Sequence, residues 1–293
     1  MKGPVVGVIG ATSLVGDHLL QQLAASGRPV VAFSRSDVSG REGAIEWRRL
    51  PQPGAAGATG DGIADWIVVA PVWVIPEHLV LLQSAGARRI VALSSTSVFV
   101  KHDSSDAREQ AVAAQLSQGE AALTDWCDRA GVQWIVLRPT LIYGDGRDQN
   151  IAAAARFIRR FGFFPLIGSA QGRRQPVRAA DVAAACMAAL DARNVSSRAY
   201  NISGGEVLAY SDMIAAVFTA MGRRPRMLRV PAPAVRLGVR LLRLLPGFRH
   251  ITAAMADRMA QDLVFDHADA VRDLGYEPQP FRLREKDVLP CPG

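Results

Sequence analysis

Residues 10–16 (GATSLVG) are the first group in the chain whose types and spacing indicate chemistry, namely the binding of a phosphate. They follow the apolar run 5–9 and precede a helical pattern. Gly10 permits a tight turn, the small residues let the backbone approach a pyrophosphate, and Gly16 permits close packing of helix on strand. Helix N-terminal amides complete the anion site. An ordinary strand-to-helix turn is the alternative. The predicted binding residues are Gly10, Thr12, Ser13, Leu14 and Val15.

The end of the second predicted strand bears on which dinucleotide would bind. An acidic residue there would bind the adenosine ribose 2′-hydroxyl. The sequence has Arg35 between two serines instead. An arginine can pair with a 2′-phosphate through two hydrogen bonds and can stack on adenine. The predicted cofactor is therefore NADP(H), with NAD(H) as the alternative, and a solvated arginine at a strand end is the non-functional interpretation.

A parallel sheet would position these residues, and the first half of the chain has the pattern of one. Short β-rich runs alternate with longer stretches whose apolar residues are three and four apart, which is typical of strands joined by crossover helices. Strands are predicted at residues 5–9, 30–33, 45–47, 66–69, 90–93 and 133–137, and helices at 14–25, 76–85, 108–130, 151–160 and 181–190. The Gly- and Pro-rich segment 51–62 predicts a loop.

The predicted fold class is α/β, a Rossmann-type doubly wound parallel sheet of six or seven strands with a small, mainly helical C-terminal substrate domain. Residues 1–140 are assigned to the dinucleotide-binding core, 141–207 to interleaved sheet and substrate-domain segments, and 208–293 to the C-terminal substrate domain. The alternation of strands and helices loosens after Pro139, which sets the first boundary.

Composition excludes several classes of protein. The chain has 293 residues, 49% of them hydrophobic, which is enough for a sizeable core. Its three cysteines are widely spaced, so neither a disulfide framework nor a metal site is predicted. Apolar runs end at about ten residues, short of the ~20 that span a bilayer. With no signal peptide predicted, the expected location is the cytoplasm.

The net charge of +7 comes from one segment. Residues 223–249 hold eight arginines and no acidic residue or lysine, so the remainder sums to −1. A surface that collects nucleic acid is therefore not expected. Within this segment Arg236, Arg240 and Arg243 share one face of a predicted amphipathic helix, residues 234–245. A packed helix with solvated arginines is the simpler interpretation, and docking to an anionic membrane surface or gripping a diphosphate are the alternatives.

Five motifs in order resemble the extended branch of the short-chain dehydrogenase/reductase superfamily, the NAD-dependent epimerase/dehydratase family. Residues 10–16 resemble its G-x-x-G-x-x-G, with Ser13 for the middle glycine, and residues 93–99 (LSSTSVF) resemble its S-S-x-x-V-Y-G. Residues 137–144 (LRPTLIYG), 174–183 (RQPVRAADVA) and 200–206 (YNISGGE) resemble three further segments. The resemblance implies that Ala70, Pro71, Ser94 and Pro139 line the cofactor trough, and that the substrate is a nucleotide sugar or another small anionic molecule.

One family feature is missing. Catalytic members use a tyrosine with a lysine four residues later, because a nearby ammonium lowers the pKa of the phenol. None of the four tyrosines here has lysine at that position. If Glu120 is matched to the family's glutamate, the two catalytic positions hold Val112 and Leu116. The resemblance is therefore to an atypical member whose standard acid/base chemistry is altered or absent.

Two residues are candidates for a replaced chemistry. Thr96, beside Ser95, occupies the family's hydroxyl position, although a threonine at a strand end also bonds local backbone. Tyr143 has Arg147 four residues later, so the two could imitate a tyrosine and lysine. His102 and Asp103 follow the strand-five motif, where solvation is the simpler interpretation, and Asp181 is predicted to cap a helix.

Three functions remain open from the sequence. The first is an enzyme with a replaced acid/base. The second is a non-catalytic dinucleotide-binding sensor or accessory subunit. The third is a membrane-surface partner. The sequence predicts no oligomeric state.

Overall fold

A computed structural model describes residues 3–36, 45–56, 62–102, 104, 106–231 and 258–289. Its centre is a parallel sheet of seven strands, which confirms the predicted Rossmann-type α/β class. The strands are β1 Val6–Ile9, β2 Val30–Ser34, β3 Ile45–Arg49, β4 Asp65–Val68, β5 Arg89–Leu93, β6 Gln133–Pro139 and β11 Arg198–Ile202. Their order across the sheet is β11-β6-β5-β4-β1-β2-β3. Successive strands are added on one side of β1 up to β3 and on its other side from β4 onward, so the strand order reverses between β1 and β4.

Helices cover both faces of this sheet because its central strands are apolar on both sides. All four residues of β1 are buried, and so are those of β4. On one face lie α1 (Leu14–Ala25) and α6 (Ala179–Asp191), which share a core cluster. On the other face lie a 3₁₀ helix (Val72–His78), α2 (Leu79–Ser84) and α4 (Ala107–Ala130).

The predicted elements of this half match the observed ones closely. All six predicted strands occur, and the seventh, β11, was not predicted. The helix expected at 76–85 is a 3₁₀ helix with Pro76 inside it, followed by α2, since proline removes a backbone donor. A short helix, α3 (Ser97–Val100), lies between β5 and α4. In the segment 51–62, the described residues form no helix or strand.

Much of the second half of the described chain packs around its own core, but residues Ala268–Leu274 pack on the sheet core with α6 and β11. The helices are α5 (Ile151–Phe161), α7 (Tyr210–Ala220), α8 (Ala268–Leu274) and α9 (Glu285–Val288). The short strands are β7 (Ile142–Tyr143), β8 (Phe164–Ile167), β9 (Arg173–Arg174), β10 (Val177–Arg178), β12 (Leu208–Ala209) and β13 (Met227–Val230). They pair as β10-β7, β12-β9 and β13-β8. The domain boundaries at 140 and 207 stay a prediction.

The predicted basic helix at 234–245 lies outside the described residues. No helix in the part of the chain that the structure describes is long and apolar enough to cross a membrane.

Candidate functional site

The loop between β1 and α1 leaves no room for side chains at two glycines. Gly10 has φ +86°, and a Cβ there would lie 2.4 Å from the backbone nitrogen of Ala70. A Cβ at Gly16 would lie 2.5 Å from the carbonyl oxygen of Ala11. Backbone atoms cannot rotate away as side chains do, so both glycines are needed for the close approach of strand, loop and helix.

Ser13 starts α1 with a side-chain cap. Its Oγ accepts a hydrogen bond from the backbone N–H of Gly16 at 3.0 Å. Its φ of −76° is open to any residue, which is why serine can replace a glycine here. The amides of Leu14 and Val15, in the first turn, have no acceptor inside the helix. They carry the positive end of the helix dipole, so this loop suits a phosphate.

Arg147 fixes the loop from the other half of the chain. Its Nη2 donates to the carbonyl oxygen of Thr12 at 3.0 Å, and its Nη1 pairs with the Asp17 carboxylate. Both partners lie more than 120 residues earlier in the sequence. Arg147 therefore supports the loop between β1 and α1, and its guanidinium is not paired with Tyr143.

A cavity of about 940 Å³ opens beside this loop. It lies where β1, β4 and β5 end, which is where ligands bind in open α/β sheets. Its volume suits a sizeable organic ligand. The C-terminal part of the chain closes one side with Arg258 and Phe265.

The predicted cofactor residues are divided between the cavity and its surroundings. Those that line the cavity are Ser13, Leu14, Val15, Ala70, Pro71 and Ser94. Gly10, Thr12 and Pro139 are not among the lining residues; the Thr12 carbonyl accepts from Arg147 and the Pro139 carbonyl from Thr96. The Ser94 Oγ is buried and has no hydrogen-bond partner among the described residues. A buried hydroxyl without a partner costs free energy, so this atom fits a ligand group in the cavity. The cofactor roles stay predictions.

Arg35 lies at the end of β2 and is exposed. It is outside the cavity lining, on the side of β1 away from β4.

The two catalytic candidates have different surroundings. Thr96 lines the cavity, but it is 5% exposed and its Oγ donates to the Pro139 carbonyl oxygen at 3.3 Å. Tyr143 is 1% exposed, and the described lining of the cavity does not include it. Its hydroxyl lies 3.4 Å from the Arg282 backbone nitrogen, its ring meets Phe281 edge to face, and burial raises the pKa of the phenol. The geometry therefore gives Tyr143 a packing role and does not support proton transfer.

The wall that would carry a tyrosine and lysine is apolar. Val112 and Leu116 on α4 both line the cavity, as matching Glu120 to the family's glutamate predicts. Glu120 itself accepts from Nε of Arg138 at 3.0 Å, which ties α4 to β6. Neither wall residue can move a proton at its position.

A scan against protein-family models matches residues 77–203 to the description "NAD dependent epimerase/dehydratase family". Residues 77–203 are therefore similar to the epimerase/dehydratase family. The match covers the strand-five motif, α4 and the two motifs that follow, and confirms the resemblance predicted from the sequence.

Curated relatives match this chain over most of its length. "NADH dehydrogenase [ubiquinone] 1 alpha subcomplex subunit 9, mitochondrial" of Arabidopsis thaliana is 27% identical over 269 residues, covering 80% of this chain and 62% of that protein. The chain spans 50% to 62% of the length of the curated relatives it matches.

Solved structures show the same fold. The epimerase Mth375 from Methanothermobacter thermautotrophicus has a TM-score of 0.72 at 18% identity, covering 98% of this chain and 91% of that one. MoeE5, solved in complex with UDP-glucose and NAD, has a TM-score of 0.68 at 20% identity, covering 95% and 94%. At these identities the likeness is one of fold.

Several charged residues that were not predicted as site residues also line the cavity: Lys101, Glu109, Arg174 and Arg258. Arg174 belongs to a motif noted in the sequence, but its guanidinium is occupied by backbone carbonyls, including that of Gln261 at 2.7 Å. Lys101 had a signal that could have been followed, because it lies two residues after the strand-five motif and is one of only three lysines.

Two further sequence predictions have different outcomes. Asp181 does not cap α6, which begins after Arg178. Its carboxylate accepts from the Gln279 backbone N–H at 3.0 Å and so holds the C-terminal segment. The prediction that Asp181 caps its own helix was wrong, because the backbone N–H that its carboxylate accepts from lies 98 residues later in the chain. His102 is outside the cavity lining, and Asp103 lies outside the described residues.

Proposed function

We propose that this chain binds a nicotinamide dinucleotide in the cavity, NADP(H) in preference to NAD(H), next to a small anionic molecule such as a nucleotide sugar. We infer that the family's acid/base chemistry is altered or absent. The observation that carries both statements is the cavity itself: a phosphate loop opens into it, while Val112 and Leu116 occupy the wall where proton transfer would occur.

Dinucleotide binding is supported by the chemistry of the cavity. The first amides of α1 offer an anion site, and the Ser94 Oγ offers an unused donor. The structural neighbour MoeE5 is in complex with NAD and UDP-glucose, which supports the same pair of ligand classes here. When bound, the dinucleotide would supply hydride transfer, while this chain's loop would bind its pyrophosphate.

The preference for NADP(H) rests on Arg35. Its exposed guanidinium follows β2, and a 2′-phosphate there could accept two hydrogen bonds from it. No carboxylate occupies that position to bind a 2′-hydroxyl.

A non-catalytic, accessory role is the second candidate. The apolar wall favours it, and so does the Arabidopsis relative, whose name is that of an NADH dehydrogenase subunit. Thr96 remains the one predicted hydroxyl on the cavity for an enzyme with replaced chemistry, since Tyr143 does not line it. A cytoplasmic location stays a prediction, because that relative is mitochondrial by name. The membrane-surface interpretation rests on residues 234–245 and also stays a prediction.

Calorimetric titration with NADP⁺, NADPH, NAD⁺ and NADH tests the proposal on the wild type and on Arg35→Ala. Loss of a charge-assisted pair worth about 1.5–3 kcal/mol corresponds to roughly 10- to 100-fold weaker binding of the NADP forms. Binding of the NAD forms should not change. Arg129→Ala is the matched control, since Arg129 is an exposed arginine in the last turn of α4.

Three results would separate the possibilities. Failure of the wild type to bind any dinucleotide would refute the proposal. Equal binding of NADP(H) before and after Arg35→Ala would refute only the preference. Turnover of a nucleotide sugar with bound NADP(H), abolished by Thr96→Ala, would favour the enzyme over the accessory protein.

A further inference from the structure

The cavity is lined by more positive than negative side chains. The cations are Lys101, Arg147, Arg174 and Arg258, and the carboxylates are Glu109 and Asp148. An excess of cations in a concave, partly desolvated site favours an anionic ligand. A charge that already forms an ion pair or hydrogen bond within the protein is less available to a ligand.

Most of them are used. Arg147 supports the phosphate loop, and Arg174 donates to backbone carbonyls. Arg258 pairs with the Glu109 carboxylate. Asp148 accepts from the first amides of α5, including that of Ile151 at 2.6 Å. These groups already pair within the protein and hold the walls in place.

Lys101 is the exception. Its side chain is half-buried at the end of α3. The Lys101 backbone bonds to Ser97 and Ser104, but its ammonium group makes no hydrogen bond or ion pair with any residue in the described part of the chain. The nearby Glu109 carboxylate is occupied by Arg258 and by the Ser104 hydroxyl, which donates to it at 2.7 Å. Burial lowers the pKa of the Lys101 ammonium and the Arg258 charge lowers it further, although Glu109 opposes them. A cation with this environment gains free energy when an anion reaches it.

The fold places Lys101 away from the predicted adenosine end. Lys101 follows β5, and Arg35 follows β2, with β4 and β1 between them. Three interstrand steps of about 4.8 Å put the two strand ends about 14 Å apart. Lys101 lines the cavity and Arg35 does not, so the two cations serve different groups of a ligand or different ligands.

The side chains of α4 beside Lys101 indicate the chemical character of the rest of the ligand. Glu109, Val112 and Leu116 are spaced three and four apart on α4, so they lie on one face of that helix. An anionic group at Lys101 would be followed along this face by two apolar side chains. Phe99 on α3 also lines the cavity.

We propose that Lys101 binds the anionic group, a carboxylate or a phosphate, of the second ligand, and that this ligand lays an apolar or ring portion along Val112 and Leu116. The inference deepens the proposed function and rests on it. It assigns Lys101 a role in binding and none in proton transfer.

The three lysines of the chain make the test direct. Protein labelled with ¹³C at lysine Cε gives three signals, and Lys101→Arg identifies the one from Lys101. With NADP(H) present, inorganic phosphate, UDP-glucose and UDP-glucuronic acid are titrated separately. Phosphate and the two nucleotide sugars distinguish binding of a phosphate from binding of a sugar carboxylate. The Lys101 signal is expected to shift with at least one of them, and the Lys286 signal is not.

Affinity gives a second readout. Lys101→Met is expected to weaken binding of the probe that shifts the signal at least tenfold, while Lys101→Arg retains most of it. Lys286→Met removes the same charge from a lysine that pairs with Asp145 at 2.7 Å and should leave the probe's affinity unchanged. NADP(H) affinity is measured on every variant, so loss of fold or of the dinucleotide site is detected separately.

Two results would overturn the inference. One is a Lys101 signal that does not respond to any of the three probes while NADP(H) binds normally. The other is unchanged probe affinity after Lys101→Met. If the wild type does not bind NADP(H), the proposed function fails first, and the calorimetry shows that independently of Lys101.

Discussion

Replacing Gly10 by alanine should separate the two demands that the phosphate loop makes on this position. Gly10 has φ +86°, and its missing Cβ would meet the Ala70 backbone nitrogen at 2.4 Å. Gly27 has a similar φ of +71°, with no atom within 4 Å of the equivalent point. Gly27→Ala therefore imposes only the cost of the left-handed backbone, and Gly10→Ala adds a clash between backbone segments.

The expected magnitudes follow from these distances. A left-handed alanine costs about 1–2 kcal/mol, and overpacking adds about 1–3 kcal/mol. For 293 residues, an unfolding entropy of ~2.1 cal/mol/K per residue converts 1 kcal/mol into about 1.6 °C. Gly10→Ala should therefore melt about 2–5 °C below Gly27→Ala. Relief of the clash also requires the loop to move about 1 Å from β4, and the amides of α1 move with it.

Differential scanning fluorimetry and NADP(H) titration measure both consequences. We expect Gly10→Ala to lose at least tenfold in NADP(H) affinity and Gly27→Ala to retain that of the wild type. Equal melting temperatures for the two variants would show that the close approach to Ala70 is not a constraint. A destabilised Gly10→Ala that still binds NADP(H) normally would refute the link between this turn and the phosphate site.

Two further predictions concern ionisable groups. Burial alone would raise the pKa of Asp145, but Lys286 and His18 outweigh it and lower the pKa below its ordinary value. The resulting stability is present above the ordinary pKa and is lost as the pH falls through the lowered one. Asp145→Asn, which tolerates the local φ of +49°, should thus destabilise the protein in urea by about 1 kcal/mol at pH 7 and by progressively less as the pH is lowered; a loss that is independent of pH would contradict the charge argument. Burial raises the pKa of Cys127 and Cys186 to about 12, so neither should react with a thiol reagent at pH 8 until the protein unfolds, and rapid labelling of either in the native state would refute this.

The core of the fold could be predicted because its signals are local. The apolar run of β1, the glycines after it and the amphipathic pattern of α1 are adjacent in sequence, and periodicity and turn chemistry identify them. The missed strand β11 shows where this reasoning ends. It pairs only with β6 at one edge of the sheet, and its sequence RAYNI mixes polar and apolar residues without a continuous apolar run.

The site was less predictable because its residues come together from distant segments. Arg147 was considered only with Tyr143, four residues earlier, yet it contacts Thr12, 135 residues away. Asp181 similarly bonds the backbone of Gln279 rather than its own helix. The direction of the Tyr143 hydroxyl depends on packing against Phe281, which no local pattern contains.

The unused polar groups of the cavity support a ligand site apart from any argument about catalysis. The buried Ser94 Oγ and the half-buried Lys101 ammonium each have no partner among the described residues, and a buried polar group without a partner costs desolvation free energy. Val112 and Leu116 also line the cavity, where they can pack against a ligand but cannot exchange a proton with it. The cavity thus has two polar groups that can bind a ligand, while the wall formed by Val112 and Leu116 has no group that can transfer a proton. Binding is therefore expected to depend on Ser94 and Lys101 whether or not a reaction follows.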